Sequence, residues 1–335
     1  MGKIKRYQFH IDDNEAKHGY QNVPVFLSED GVLSIEGYVS GYAHFCDLFV
    51  YSWEITGNTG RDKYSVFMQK PITDFLNKNS KFYIKKVIVG KDAAQQYYAE
   101  NGCLVDNYHQ EVCLITEECE ELNLRNMKNA RHIGEHAAEY WEYKGTLVIP
   151  ETVVSIEKNA FYKSEISKLV FDGNPGGEFA LQIKRSAFFM TEKLESVDFG
   201  TRKIKVFMEA FSYSHIINLD IPETVEISED GFNELRWVKN INIHCKKIPT
   251  RCFLSTGGLG DGCTINMEDV EIIEIDRNYN SLFIYSKLNK VIMSSKLYDS
   301  IIRAGALNSW KDNVKEIEIR WYSDGDKKIT KETRS

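Results

Sequence analysis

Apolar residues recur along this chain of 335 residues in the order apolar-x-x-apolar-x-apolar. Two adjacent stretches of equal length, 194–215 and 216–237, show the pattern most clearly. Their apolar positions correspond as Leu194/Ile216, Val197/Leu219 and Phe199/Ile221. A unit this short cannot enclose a hydrophobic core alone, so it must bury its apolar side against the units before and after it. The pattern therefore predicts a stacked solenoid.

The same pattern begins at Ile84 and continues almost to the end of the chain. Its ten copies, two of which lack the first position, are Ile84/Val87/Val89, Cys119/Leu122/Leu124, Leu147/Ile149, Ile166/Leu169/Phe171, Leu194/Val197/Phe199, Ile216/Leu219/Ile221, Val238/Ile241/Ile243, Ile265/Met267, Leu288/Val291/Met293 and Val314/Ile317/Ile319. The last positions of each copy alternate with the period of a β-strand, which places two side chains inward and the one between them outward.

Two further signatures accompany the strands. A small residue followed by an aromatic one precedes most of them, as in Ala160-Phe161, Ala187-Phe188, Ala210-Phe211, Gly231-Phe232, Cys252-Phe253 and Leu282-Phe283, with Ala137-Ala138 as a variant. We interpret this pair as the far side of each coil, where the backbone turns tightly and one ring fills the space between coils. The motif IPETV follows the strand at 149–153 and 221–225, where proline ends a strand by removing a ladder donor.

These residues resemble the leucine-rich repeats of the bacterial surface-antigen (BspA-like) type, whose units read roughly L-x-x-I-x-I-P-x-x-V-x-x-I-x-x-x-A-F. The spacing of successive copies falls mostly within the roughly 20 to 29 residues of leucine-rich repeats. The resemblance implies an α/β, strand-rich, right-handed solenoid with short helical turns on its convex side. It also implies a non-enzymatic protein that binds another protein or a peptide.

We expect three regions in the chain. Residues 1–80 are a β-rich region or degenerate first repeats, with strand-like runs at 24–28 and 46–53. Residues 81–321 are the repeat array, interrupted at 90–118 by a helix-like piece and a hairpin and closed by a cap at 294–321. Residues 322–335 are charged and nearly free of apolar side chains, so we expect a disordered tail.

Charge and composition exclude some partners. The net charge of −7 makes binding to a phosphate backbone through a broad basic surface unexpected, and we predict no nucleic-acid partner. The first residues lack a signal-peptide apolar run and no stretch has the length of a membrane span, so the chain as written is expected in the cytoplasm. If its N-terminus has been trimmed, the cell surface or secretion is the alternative. Oligomeric state is left open.

Three groups of residues could carry chemistry, and we assign each a structural role. His132 and His136 in HIGEH have helical metal-ligand spacing but the wrong order for a zinc motif, so we predict polar residues on the convex side and no metal. The glycine-rich run 257–262 lacks the lysine of a phosphate loop and is interpreted as a surface loop. The seven cysteines, including Cys245, Cys252 and Cys263, are interpreted mainly as small buried hydrophobes. No catalytic residue or cofactor is predicted.

The predicted binding site is the outward face of the strands. Residues on either side of the middle apolar position point away from the core, and stacking arranges them in two columns. The predicted ligand-binding residues are Lys168, Ser196, Asp198, Asn218, Asp220, Asn240, Asn242, Thr264 and Asn266. Asp198 and Asp220 are expected about 5 Å apart, and such like charges need a cation or a donor from a partner between them.

Three functions remain open at this point. The first is a binding protein that presents this strand face to a protein or peptide. The second is a cell-surface adhesin that binds a glycan or a cation with the aspartate and asparagine column. The third is an enzyme whose site lies in residues 1–80, although the sequence places no converging titratable groups there.

Overall fold

The chain divides into two compact units, residues 1–143 and 144–335. In the computed structural model the described residues are 6–12, 20–39, 44–51, 55, 69–80, 83–173, 176–177, 179–249, 251–259, 262–274, 282–283, 285–305, 310, 312–323 and 326–333. The predicted division between residues 80 and 81 stays a prediction.

The first unit contains short strands and 3₁₀ helices. Its strands are β1 (Arg6–Asp12), β2 (Tyr20–Ser28), β3 (Val32–Ile35), β4 (Phe49–Tyr51), β5 (Gln69–Pro71), β6 (Lys86–Val89), β7 (Tyr97–Glu100), β8 (Cys103–Asp106), β9 (Glu111–Ile115) and β10 (His132–Ile133). Its 3₁₀ helices are Phe45–Asp47, Ile72–Phe75 and Lys91–Ala93.

Six of these strands form one sheet in the order β5-β4-β1-β2-β3-β6. The sheet is antiparallel except where β6 runs parallel to β3. Alternating apolar residues of β1 to β3 face a core in which Phe9 and Phe75 pack edge to face, with ring centroids 5.8 Å apart. The strand-like run at 24–28 is therefore part of β2, and the run at 46–53 contains a 3₁₀ turn followed by β4.

The insertion at 90–118 forms a three-stranded antiparallel meander, β7-β8-β9, preceded by the 3₁₀ helix Lys91–Ala93. Strand β10 then runs parallel to β9. Two of the ten predicted repeat strands differ from expectation in this unit. The copy at Ile84 contains β6, which pairs with β3, and the copy at 119–124 forms turns although its apolar residues are buried.

The second unit contains the regular coils. Its elements are β11 (Thr146–Ile149), β12 (Ser155–Ile156), β13 (Lys168–Phe171), β14 (Leu181–Ile183), β15 (Ser196–Asp198), β16 (Ile204–Val206), β17 (Asn218–Ile221), β18 (Val225–Ile227), β19 (Asn240–Ile243), β20 (Lys247–Ile248), β21 (Cys263–Met267), β22 (Ile272–Ile273), β23 (Leu288–Ser294), α1 (Ser295–Arg303), β24 (Val314–Ser323) and β25 (Asp326–Thr333).

A nine-stranded sheet in the order β11-β13-β15-β17-β19-β21-β23-β24-β25 forms one side of these coils. Its strands are parallel up to β24, and they contain the eight repeat copies predicted from Leu147 onward. Leu169 pairs with Val197 and Leu219 with Ile241, and all four side chains are buried. The predicted register of the apolar column is confirmed.

A second parallel ladder, β12-β14-β16-β18, forms another side of the coils. The buried Arg202 lies between the two ladders and was not predicted. Its guanidinium donates to the backbone carbonyls of Pro150 at 3.0 Å and Val153 at 2.9 Å, the two ends of the turn in the first IPETV motif. One cation thereby satisfies carbonyls that the proline-containing turn leaves without ladder partners.

The third side of the coils is made of hydrogen-bonded turns. Phe161, Phe188, Phe211, Phe232 and Phe253 are buried and stack in one ladder, with successive ring centroids 5.0, 5.2, 5.5 and 6.2 Å apart. The backbone N–H of Phe161 donates to the carbonyl of Ala187 in the next coil at 2.8 Å, and Phe188 repeats the bond with Ala210. The small residue thus permits close backbone approach and the ring fills the coil.

Short helical turns were expected on this side of the coils, but its backbone is not helical. Residues with positive φ recur in pairs four apart, one before the small residue and one after the ring, as Asn159/Lys163, Ser186/Met190, Glu209/Tyr213, Asp230/Glu234 and Arg251/Ser255. A left-handed residue interrupts an α-helix because its backbone points the chain out of the helical path. The convex segments of the described coils are therefore tight turns.

The C-terminal residues correct another expectation. Ser294 caps α1 by accepting a hydrogen bond from the backbone N–H of Leu297. Strands β24 and β25 then form an antiparallel hairpin with pairs from Glu316/Thr333 to Ser323/Asp326. The tail predicted to be disordered thus contains a strand, because main-chain ladder bonds and the Lys331–Glu316 ion pair of 3.4 Å compensate for its few apolar side chains.

Candidate functional site

The outward face of the nine-stranded sheet brings the predicted binding residues into two columns. The first column, in strand order, is Thr146, Lys168, Ser196, Asn218, Asn240, Thr264, Lys290 and Glu316. In the second, Val148, Val170 and Asp198 are in register, as are Asp220, Asn242, Asn266, Ile292 and Glu318. Parallel pairing sets these columns because each coil adds one strand at the same level.

Amides occupy the centre of the first column. Asn240 donates its side-chain N–H to the side-chain oxygen of Asn218 at 2.8 Å, and both residues are exposed. Each amide keeps further donor and acceptor capacity after this bond. Lys168, the second residue of the column, is exposed, whereas Ser196 and Thr264 are half-buried. The centre of the face can therefore both donate and accept hydrogen bonds.

The two aspartates of the second column have donors within the protein. Asp198 accepts a hydrogen bond from the backbone N–H of Gly200 at 2.9 Å, a local turn of the kind aspartate favours. Asp220 contacts Nε2 of His244 at 3.2 Å. The expectation that these carboxylates need an external cation between them is therefore not supported, because each has an internal partner.

His244 bridges two coils at the margin of this face. Its Nδ1 lies 2.7 Å from Asp269, and its Nε2 reaches Asp220. The hydrogen bond to Asp269 raises the pKa of His244, burial lowers it, and Asp220 raises it further. His244 was not predicted on the face, although its position one residue after β19 was a signal that could have placed it there.

Asn266 and Asn242, which also lie in the second column, differ in their exposure and hydrogen bonding. Asn266 is half-buried and accepts a hydrogen bond from the backbone N–H of Glu268 at 3.2 Å, as Asp198 does with Gly200. Asn242 is exposed between Asp220 and Asn266. The open groups of the face are thus concentrated on Asn218, Asn240 and Asn242.

An ion-pair network closes one end of the face. Lys290 lies 2.5 Å from Glu318 and 3.3 Å from Glu316, and Arg320 pairs with Glu318 and Glu268. The hydrogen bond to Glu318 is the main cause that raises the pKa of Lys290. Glu318 is buried, so this network is structural support rather than open surface.

The candidate metal residues His132 and His136 occupy different backbone settings in the first unit. His132 is half-buried in β10, whereas His136 follows it with φ of 61° and lies 2.6 Å from Glu139. Burial lowers the pKa of His136, but its bonds to Glu135 and Glu139 raise it to about 9. Within the described residues, no three histidine, cysteine or acidic side chains are grouped to hold a metal ion.

His136 and Glu139 also line a cavity of about 470 Å³ in the first unit. The cavity is also lined by Lys70 and Asp74, an ion pair of 3.2 Å, and by Thr73. His136 was predicted to lie on the convex side. The cavity could not be predicted from the sequence, because Lys70 and Asp74 are more than sixty residues away from His136 along the chain.

Among the described residues, the three cysteines and the glycine-rich run 257–262 have structural roles. Cys245, Cys252 and Cys263 are buried free thiols, and burial raises the pKa of Cys263 to about 12. Gly257 has φ of 69° and a Cβ there would meet the carbonyl of Lys287 at 2.8 Å, so close packing requires glycine. Gly260 and Asp261 of the same run lie outside the described residues.

A cluster of two buried carboxylates and two histidines in the first unit was not predicted. Asp106 is fully buried and accepts hydrogen bonds from the backbone N–H groups of Tyr108 and His109, at 2.7 and 3.2 Å. It also lies 2.9 Å from Nδ1 of His109, and His44 lies 3.3 Å from Glu111. The two imidazole centroids are 4.6 Å apart. The spacing of Asp106 and His109, three residues apart in a turn, was the sequence signal that could have indicated this cluster.

A comparison with protein families finds six copies of the BspA type leucine rich repeat region, matching residues 115–177, 131–260 and 176–287. No curated protein matches the chain. Across the part of the chain that the structure describes, no helix is both long and apolar enough to cross a membrane.

Proposed function

Because this chain belongs to the BspA-type leucine-rich repeat family, we propose that it is a non-catalytic binding protein whose strand face captures a protein or peptide. The observation that carries this proposal is the exposed amide group of Asn218, Asn240 and Asn242, held in register on parallel strands. Solenoids commonly bind on such an extended face.

A peptide backbone suits these amides. An extended peptide offers N–H and C=O groups in alternation, and an asparagine side chain can pair with either. The Asn218–Asn240 bond orients the two amides and limits the side-chain entropy that binding would cost. Exposed Lys168, the second residue of the column, adds a cation for an acidic residue of the ligand.

The alternative is a glycan- or cation-binding adhesin, which would act at the cell surface or after secretion. Hydroxyl-rich glycans can use the same amides, so this alternative stands on the same column. A cation is less well supported, because Asp198 and Asp220 already accept hydrogen bonds or ion pairs from Gly200 and His244. A peptide-binding protein could act in the cytoplasm.

An enzyme is the third candidate. The pairs Asp106–His109 and Glu111–His44, in which both carboxylates are buried, are the observation that favours it, since a histidine oriented by a carboxylate is a common general base. The residues concerned lie mainly in the 90–118 insertion rather than in residues 1–80.

The test uses a displayed random-peptide library and a glycan array, each probed with the full chain. We expect selected peptides whose binding is lost in the variant Asn218→Ala with Asn240→Ala. Asp198→Ala with Asp220→Ala should weaken the same peptides while leaving thermal stability nearly unchanged. Binding confined to the glycan array would favour the adhesin.

A matched control is Glu226→Ala with Glu229→Ala, which removes two exposed carboxylates away from the nine-stranded sheet. Peptides that bind the strand-face variants normally but not this control would place the binding surface elsewhere.

A further inference from the structure

Two buried cysteines of the first unit lie against each other. Cys103 begins β8 and is fully buried, and Cys119 lies in the turns after β9 with 3% of its surface exposed. Their Sγ atoms are 3.5 Å apart. Closing this distance by about 1.5 Å reaches the S–S bond length of about 2.05 Å.

The backbone around both cysteines is held in place. The backbone N–H and the hydroxyl of Thr116 both donate to the carbonyl of Gly102, at 2.8 and 2.9 Å. The carbonyl of Cys119 accepts a hydrogen bond from the indole of Trp141 at 3.1 Å. A Cβ on Gly102 would lie 2.4 Å from the backbone nitrogen of Cys119, so the two turns pack backbone to backbone. This packing keeps the two thiols next to each other, where a disulfide can form.

We propose that Cys103 and Cys119 are a disulfide-forming pair that reacts with a small-molecule disulfide such as oxidised glutathione. In the first step the Cys119 thiolate attacks one sulfur of glutathione disulfide, forms a mixed disulfide and releases one glutathione thiolate. In the second, Cys103 loses its proton and its thiolate attacks the Cys119 sulfur, releasing the second glutathione. Two protein thiols are oxidised, and one glutathione disulfide is reduced to two thiols.

The local environment assigns the two roles. The hydrogen bond from Cys103 lowers the pKa of Cys119, and the hydrogen bond with Cys119 raises the pKa of Cys103. Cys119 lies between exposed Glu118 and Glu120, whereas Cys103 lies between half-buried Gly102 and buried Leu104. Local opening of the turn at 117–120 thus exposes the attacking sulfur first.

A disulfide between Cys103 and Cys119 would crosslink the turn at 116–119 to the β7–β8 turn. The closed loop of about 15 residues is long enough for the crosslink to remove substantial entropy from the unfolded chain. We expect the oxidised protein to unfold several degrees higher than the reduced protein. Amide exchange at 116–119 should slow by at least about tenfold, since global opening replaces local fraying there.

The test exposes the folded full chain to oxidised glutathione, denatures it without reductant, blocks the remaining thiols and cleaves after glutamate. Glu111 and Glu117 separate Cys103, Cys113 and Cys119 into different peptides. We expect a Cys103–Cys119 crosslink, a loss of the mass of two hydrogen atoms, and five blocked thiols in place of the seven cysteines of the reduced chain.

Cys113→Ser is the matched control, because Cys113 is a buried cysteine of the neighbouring strand β9. It should keep the crosslink, whereas Cys119→Ser should lose it. Seven blocked thiols after oxidation of the wild-type chain, or a crosslink from Cys103 to Cys113, would overturn the proposal. The wild-type map decides the question even if a serine variant fails to fold.

Discussion

The two units of this protein are stabilised in different ways. In residues 144–335 the neighbouring strands of the nine-stranded sheet from β11 to β24 belong to successive repeats and pair in parallel, and the same apolar and aromatic positions stack from coil to coil. In residues 1–143 the pairing is mostly antiparallel and joins segments of unequal separation, as in β3 with β6. Both units bury ionisable groups, such as Asp106 and Glu111 in the first and Arg202 and Glu318 in the second.

The two units therefore form their cores in two different ways. A repeated coil needs each side chain to match the same side chain in the next coil, so its core can be apolar and uniform. A unit without repeats must satisfy each buried polar group by a particular contact. Substitutions in the two units should therefore differ in how far their effects extend and in their dependence on pH.

The largest effect is expected from the phenylalanine ladder. Phe188→Ala removes a fully buried ring that stacks on Phe161 and Phe211, and should lower the free energy of unfolding by about 3–5 kcal/mol. Denaturant unfolding measures the loss, and hydrogen exchange should show faster opening in the adjacent coils than in residues 1–143. The control Phe179→Ala changes a ring that is 57% exposed and should have little effect. Equal acceleration of exchange throughout the chain would contradict coil-by-coil stabilisation.

The next effect concerns Arg202. Arg202→Met removes the guanidinium donors of the Val153 and Pro150 carbonyls, of which Pro150 keeps the backbone N–H of Val153, and should cost about 3 kcal/mol. Arg202→Lys should recover part of this, since an ammonium can reach fewer carbonyls than the guanidinium fork. The midpoint of denaturant unfolding distinguishes the three proteins. Equal midpoints for the methionine variant and the wild type would mean that water replaces the guanidinium.

The first unit should be sensitive at Asp106. Asp106→Asn removes a carboxylate oxygen that accepts from the backbone or His109, and should cost about 2 kcal/mol because hydrogen bonds to charged groups are the stronger ones. Asp198→Asn, at an exposed strand position, is the matched substitution and should be nearly neutral. Thermal unfolding of both variants tests this difference. A larger loss at Asp198 would reverse the comparison.

The smallest effect is a pH dependence at His136. Its folded pKa of about 9 exceeds the unfolded value of about 6.5, so its bonds to Glu139 and Glu135 stabilise the fold fully below about pH 6.5. That contribution should fall as pH rises to about 9, by roughly 1–2 kcal/mol after allowance for partial solvent access. The stability difference between wild type and His136→Gln, measured from pH 6 to 9, should shrink over this interval. A constant difference would show that His136 does not change its charge there.

The features of this protein that could be predicted are those that recur with the period of the repeat. Leu169, Val197, Leu219 and Ile241 could be placed in one buried column because each recurs at the same point of a repeat. The hairpin strand β25 was missed because its pairing with β24 supplies what its side chains lack. The turns around Phe188 were expected to be helical because the pattern of side chains does not reveal the left-handed backbone at Ser186 and Met190.

The candidate binding face was predicted in position but not in its internal contacts. Asn218, Asn240 and Asn242 lie in the expected columns because strand alternation determines which side chains point outward. The bond from His244 to Asp220 was not foreseen, because it joins two coils through side chains whose rotamers the sequence does not specify.

The sequence by itself therefore determined the repeat, the direction of each strand side chain and the buried aromatic ladder, since these follow from local alternation and a fixed repeat length. Tertiary structure alone decided the Asp106–His109 pair, the position of Arg202 beneath the first IPETV turn and the contact between Cys103 and Cys119. Each of these depends on how one particular turn lies against another, and a pattern of apolar and polar positions carries no information about that distance.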